Sequence, residues 1–343
     1  MKKSLKWLRK SLSILLLTLF STLAFAQSED SNSADKEKKI TFSISPFLTY
    51  HNGVQQEFVY QENNSGNQAK VSQLDWEQKN LLFAGIEVQA EFGSHFIIQA
   101  DASFAVPGYQ TGYVYDSDWD NYYNSDLEIA SIKNCYSISD CDFLYYFAAS
   151  LFLYYDPLPE SDFDLIPFAG VDYSSNYFEA CGTTRCWYNR TKNSSGYYDS
   201  WENAEESYLY GTVMTLERQN IFTWMGFSTV YRPLQNLSFS ISFALNPYSF
   251  VDSLDQHYKK NSWYLDLLSQ FFCGYKFQAE AEYSFNKKHS LRANFSLLSI
   301  EMDQGTTYTS YSGEKGSFYK DDSAWPGAAF KYMKASLAYR FTI

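Results

Sequence analysis

In Leu237-Ser238-Phe239-Ser240-Ile241-Ser242-Phe243-Ala244-Leu245-Asn246, residues Leu237, Phe239, Ile241, Phe243 and Leu245 are apolar. Ser238, Ser240, Ser242 and Asn246 between them are polar. A period of two means an extended strand with one greasy face and one wet face. The run continues into Val251-Asp252-Ser253-Leu254-Asp255-Gln256-His257-Tyr258. Asp255 and His257 are two apart, so an extended backbone sends both side chains from the same face. A carboxylate in that position can orient an imidazole for proton transfer.

The same alternation recurs along the chain. Strands are expected from Ile40, over 71–92 and 96–104, near 131–155, near 163–180, near 208–231, over 237–258, then at 271–282, 290–297 and 336–343. Gly93-Ser94, the stretch around Pro159 and Asn286-Lys287-Lys288 read as short turns. Long polar loops are expected around Tyr115-Asp116-Ser117-Asp118-Trp119-Asp120, over 181–207 and over 303–327. Ten strands with long and short connections in alternation describe an all-β, ten-stranded antiparallel transmembrane β-barrel. Its long loops would be extracellular and its short turns periplasmic. Thirty Tyr and 28 Phe suit the aromatic girdles of such a barrel. Mean hydropathy of −0.37 does not argue against it, because half of each such strand is polar.

Residues 1–26 read as a secretory signal peptide. Lys2, Lys3, Lys6, Arg9 and Lys10 precede an apolar run from Leu12 to Phe20, and Ala24-Phe25-Ala26 offers a cleavage site. Residues 27–39 read as a disordered leader, and 40–343 as the barrel domain. The whole chain carries −12 from 27 basic and 39 acidic residues. Removing the five basic residues of the signal peptide, which holds no acid, takes this to −17. That excludes a nucleic-acid partner and suits cationic substrates.

Asp116 with Asp118, and Asp255 with His257, are both (i, i+2) pairs expected at the same rim. Their hairpins fall roughly across a narrow barrel from one another. Of the four histidines, His51, His95, His257 and His289, only His257 has an Asp two residues away. Taken alone, each pair also reads as solvated surface polarity. A catalytically inactive barrel, an adhesin or a narrow pore, therefore stays open. A phospholipase with a Ser-His nucleophile does not fit, because the alternation puts His257 on the inner face with Ser253 and Asp255.

Lys70-Val71-Ser72-Gln73-Leu74-Asp75-Trp76, Asp116-Ser117-Asp118-Trp119 and Asp255-Gln256-His257-Tyr258 together resemble conserved segments of the omptins. These are ten-stranded outer-membrane aspartyl-type endopeptidases. The resemblance implies peptide hydrolysis by a water. His257, oriented by Asp255, would be general base, and Asp116 and Asp118 would position the water. No metal and no cofactor is implied. Glu57 matches an acidic residue that receives a basic substrate side chain in the family. Its partner acid is replaced here by Ser253, so a looser preference for Arg or Lys is expected. The partners implied are peptide or protein substrates and outer-membrane lipid. Asp172-Tyr173-Ser174-Ser175-Asn176 lacks the family's lipopolysaccharide-binding pattern, so that partner is not carried over.

Five cysteines, Cys135, Cys141, Cys181, Cys186 and Cys273, fall in the mature chain. Folding the strands about the turn near Pro159 would bring Cys135 towards Cys181 or Cys186, and one disulfide is expected there. Cys273 shares its alternation class with outward residues and reads as a free thiol.

Overall fold

The computed structural model describes residues 40–93, 95–106, 110–158, 161–311 and 317–343. The expected signal peptide at 1–26, the leader at 27–39, Ser94 and Pro159 lie outside the described residues. The compact unit spans Ile40–Ile343.

Among the described residues, sixteen antiparallel strand segments stand where ten strands are expected. They are β1 (Ile40–Glu62), β2 (Gln68–Phe92), β3 (Phe96–Ala105), β4 (Gln110–Asp118), β5 (Cys135–Tyr155), β6 (Phe163–Tyr188), β7 (Glu206–Tyr210) and β8 (Met214–Leu234). The rest are β9 (Leu237–Leu245), β10 (Tyr248–His257), β11 (Ser262–Phe271), β12 (Gly274–Asn286), β13 (His289–Met302), β14 (Gly305–Ser310), β15 (Tyr319–Asp321) and β16 (Trp325–Thr342). A short helix, α1 (Leu127–Ala130), precedes β5. Several segments are halves of one passage. The opening run, for example, breaks at Asn246-Pro247, because proline has no N–H to give the ladder.

The ladder closes on itself. β1 pairs β16 and β2, β2 pairs β3, β3 pairs β5, and β5 pairs β6. β6 pairs β8, β8 pairs β9, β9 pairs β12, β12 pairs β13, and β13 returns to β16. Closure leaves these strands no free edge. The result is a β-barrel with its polarity turned inside out. Leu48, Ile86, Phe104, Leu153, Phe227 and Phe243 are exposed on the outer wall of one half. Inside that half, Arg292 bonds Glu87 at 2.6 Å and Arg340 bonds Glu282 at 3.1 Å. The greasy face of β9 thus points outward and its serines point inward.

In the other half, strands rise beyond this apolar belt, and here the sequence reading needs three corrections. Tyr115–Asp118 is not loop but the end of β4, paired to β2 and β5. Its acids masked an alternation with Val114 inside and Tyr113 outside. β6 runs on to Tyr188, well past the expected end near 180. Not every connection at that rim is long, since 63–67 and 258–261 are tight turns.

The expected disulfide is also absent, and all five cysteines are free. The register places Cys135 opposite Tyr188, Ser137 opposite Cys186, and Asp140 opposite Cys181. Cys273 does not follow the outward residues. It lies in the break between β11 and β12, where Phe272 takes φ 52° and the ladder is interrupted. Phe271 and Phe272 are both exposed, while the Cys273 thiol reaches Asn246 Oδ1 at 3.2 Å.

Candidate active site

The expected site residues come from two walls of the barrel. Asp116 and Asp118 lie on β4, where Asp116 pairs with Leu74 and Asp118 with Ser72 of β2. Directly paired residues share a face, and Leu74 is buried, so both carboxylates point into the lumen. Ser72 Oγ donates to Asp118 Oδ1 at 2.8 Å. Asp255 and His257 lie on β10, with Leu216 of β8 on one side of Asp255 and Tyr264 of β11 on the other. His257 Nε2 meets Asp255 Oδ2 at 2.5 Å. The Tyr264 ring packs edge-on against the imidazole, with centroids 5.2 Å apart. Asp255 Oδ1 is buried without a hydrogen-bond partner among the described residues.

The two pairs feel each other's charge, and both lie above the apolar belt. Burial raises the Asp116 carboxyl to about 7, with help from Asp118 and against the pull of Lys260 and His257. Burial also raises Asp118, while Lys260 and Ser72 pull it down. Burial lowers His257, but the adjoining Asp255 carboxylate outweighs this, and the imidazole ends above its usual 6.5. Lys260, in the turn after β10, is the residue that sequence reasoning missed. Burial lowers its ammonium, but Asp116 and Asp118 hold it above its usual value. Its sequence signal was only its place three residues beyond His257.

Glu57 does not lie open as a receptor for a basic side chain. Arg218 Nη2 of β8 crosses the lumen to Glu57 Oε1 at 3.0 Å, and both side chains are buried. Trp76 Nε1 donates to Glu57 Oε2 at 2.9 Å, and Ser253 Oγ donates to Oε1 at 3.0 Å. Burial holds the Glu57 carboxyl above its usual range, with Arg218 opposing and Asp255 adding to the rise. The other three histidines stand apart from the site. His51 is buried against Gln78, Phe83 and Tyr332, which is a core role. His95 contacts the Asp156 carbonyl, and His289 contacts Tyr339.

The sequence profile of the omptin family matches residues 37–342. The chain belongs to the omptin family. Membership supports an outer-membrane protease. The crystal structure of the outer membrane protease OmpT from Escherichia coli is 16% identical with a TM-score of 0.71. That match covers 92% of this chain and all of OmpT, and it shows a shared fold. Two further barrels superpose poorly. OprG from Pseudomonas aeruginosa is 12% identical at a TM-score of 0.33, covering 89% of this chain and 97% of its own. The translocator domain of NalP from Neisseria meningitidis is 7% identical at 0.34, covering 97% and 96%. A comparison with curated proteins gives no match.

Proposed function

We propose that this omptin is an outer-membrane endopeptidase of the aspartic type, cutting peptide bonds with a water held between Asp116–Asp118 and Asp255–His257. The observation that carries the reading is the His257–Asp255 contact facing a buried carboxylate pair that shares its electrostatic field. With Nε2–H given to Asp255, the Nδ1 lone pair of His257 takes a proton as the water oxygen attacks the carbonyl carbon. The C–N bond then breaks, and the leaving amine takes up a proton. Two carboxyls this close share one proton near neutral pH, so the Asp116–Asp118 pair can both hold the water and supply that proton. Lys260 keeps the pair from becoming wholly neutral.

The exposed apolar belt supports an outer-membrane placement. Ten passages, each one long strand or two segments in line, would carry the exposed apolar belt through lipid, with every backbone group paired around the closed ladder. The site half would then stand on the extracellular side, with the signal peptide at 1–26 directing export. The mature charge of −17 draws cationic peptides to that rim.

The test is digestion of a diverse peptide library by folded protein in detergent, with products identified by mass. Wild type should cut, and His257→Ala should cut at least about 10²-fold more slowly. Equal cutting by both proteins, or none by wild type, would return the chain to a non-catalytic barrel.

A further inference from the structure

Ser253 lies two residues before Asp255 on the inner face of β10, about 7 Å along the strand. A substrate side chain beside a bond held at the dyad would enter the space over Ser253. That space is already built. Arg218 reaches Glu57 at 3.0 Å, Ser253 Oγ at 3.2 Å and Gln55 Oε1 at 3.3 Å. Its guanidinium also lies 5.3 Å from the Phe330 ring centroid. Arg218 is 1% exposed, so it is part of the floor rather than a mobile surface cation.

We propose that Arg218 is a tethered occupant of the basic-side-chain site, so that the substrate residue bound next to the cut is uncharged. The inference rests on the peptidase reading above. An incoming Arg or Lys would have to displace Arg218 from Glu57 or sit beside it as a like charge. An incoming Asp or Glu would face the Glu57 carboxylate. Each of these leaves a buried charge without a partner, which is how a site rejects a ligand by repulsion rather than by lost contact. Asp266, which pairs with Ser253 in the ladder, borders the same floor. Thr307 Oγ1 donates to it at 2.7 Å, and burial raises its carboxyl to about 7. At neutral pH it is therefore only partly ionised. Cationic peptides are drawn to the rim by long-range charge, yet their basic residues would flank the cut rather than occupy this position.

The test compares library cleavage by wild type, Arg218→Ala, Glu57→Gln and the double variant. Wild-type cuts should show no enrichment of Arg or Lys before the bond. Arg218→Ala, which frees Glu57 and opens room for a guanidinium, should raise cutting after Arg or Lys about tenfold or more. The double variant should lose that gain. Glu57→Gln should instead raise cutting next to Asp or Glu, because it leaves Arg218 unneutralised. A separate arm needs no catalysis: agmatine, a guanidinium on a short chain, should raise the unfolding temperature of Arg218→Ala and not of wild type. Basic enrichment in wild type would overturn the proposal. So would a folded Arg218→Ala that gains neither basic cutting nor agmatine stabilisation. If Arg218→Ala does not fold, an unchanged profile for Glu57→Gln overturns it. If no variant cuts any peptide, the peptidase reading falls, and the agmatine arm still decides whether Arg218 fills a cation site.

Discussion

The two halves of the lumen hold carboxylates in opposite ways. In the half wrapped by the apolar belt, Glu87, Glu280, Glu282 and Asp172 each have a cation within 3.5 Å. In the half above it, Asp116 and Asp118 feel Lys260 only at longer range, and Asp255 is paired with a histidine that can lose its charge. A carboxylate beside a fixed guanidinium keeps its charge and holds shape. One held by burial and a like charge keeps an adjustable proton, which acid–base chemistry needs. Glu57 lies among the second group but behaves as the first, because Arg218 has claimed it.

The comparison breaks most sharply under substitution. Asp116→Ala, Asp118→Ala, Asp255→Ala and His257→Ala should each cost about 10²-fold or more in kcat. Their folded and boiled gel bands should stay distinct. A variant with full activity removes that residue from the mechanism. Arg292→Ala should do the reverse. It strands Glu87 and Glu280 in the lumen and should cost about 3 kcal/mol or more of stability. Denaturation monitored by circular dichroism reads this, while kcat per folded molecule should hold. Loss of kcat at constant stability would erase the distinction between the halves.

A gentler probe is pH. The base must be neutral, and its pKa is raised, so activity should climb with pH through a midpoint above 6.5. Asp255→Asn removes the raising charge and should shift whatever acid limb survives to lower pH. A limb that does not move would place the titrating group elsewhere. The smallest effect expected is that of salt. Raising ionic strength should lower kcat/KM a few-fold for cationic peptides and leave neutral ones unchanged, since screening acts on long-range attraction alone. Equal salt dependence for both would detach the −17 charge from substrate capture.

How much was legible follows from which interactions are local. Alternation in β9 and the rule that i and i+2 share a face were enough to find the barrel class and the Asp255–His257 contact. Both depend on neighbours along one strand. The acids of β4 hid a strand because their partners, Ser72 and Leu74, lie over 40 residues away. The outward placement of Cys273 failed at the break between β11 and β12, where Phe272 has a positive φ, while Tyr275 beyond it keeps the outward face that its alternation gave it.

The amino-acid order by itself determined the alternation of β9 and β10, and so the all-β class and the shared face of Asp255 and His257. Those are consequences of backbone period. Only the tertiary structure decided which walls face each other. It set Arg218 of β8 against Glu57 of β1, 161 positions apart, an ion pair that one-dimensional reading did not find. Contacts across a lumen depend on the ring of pairings as a whole, and no local pattern in either strand carries them.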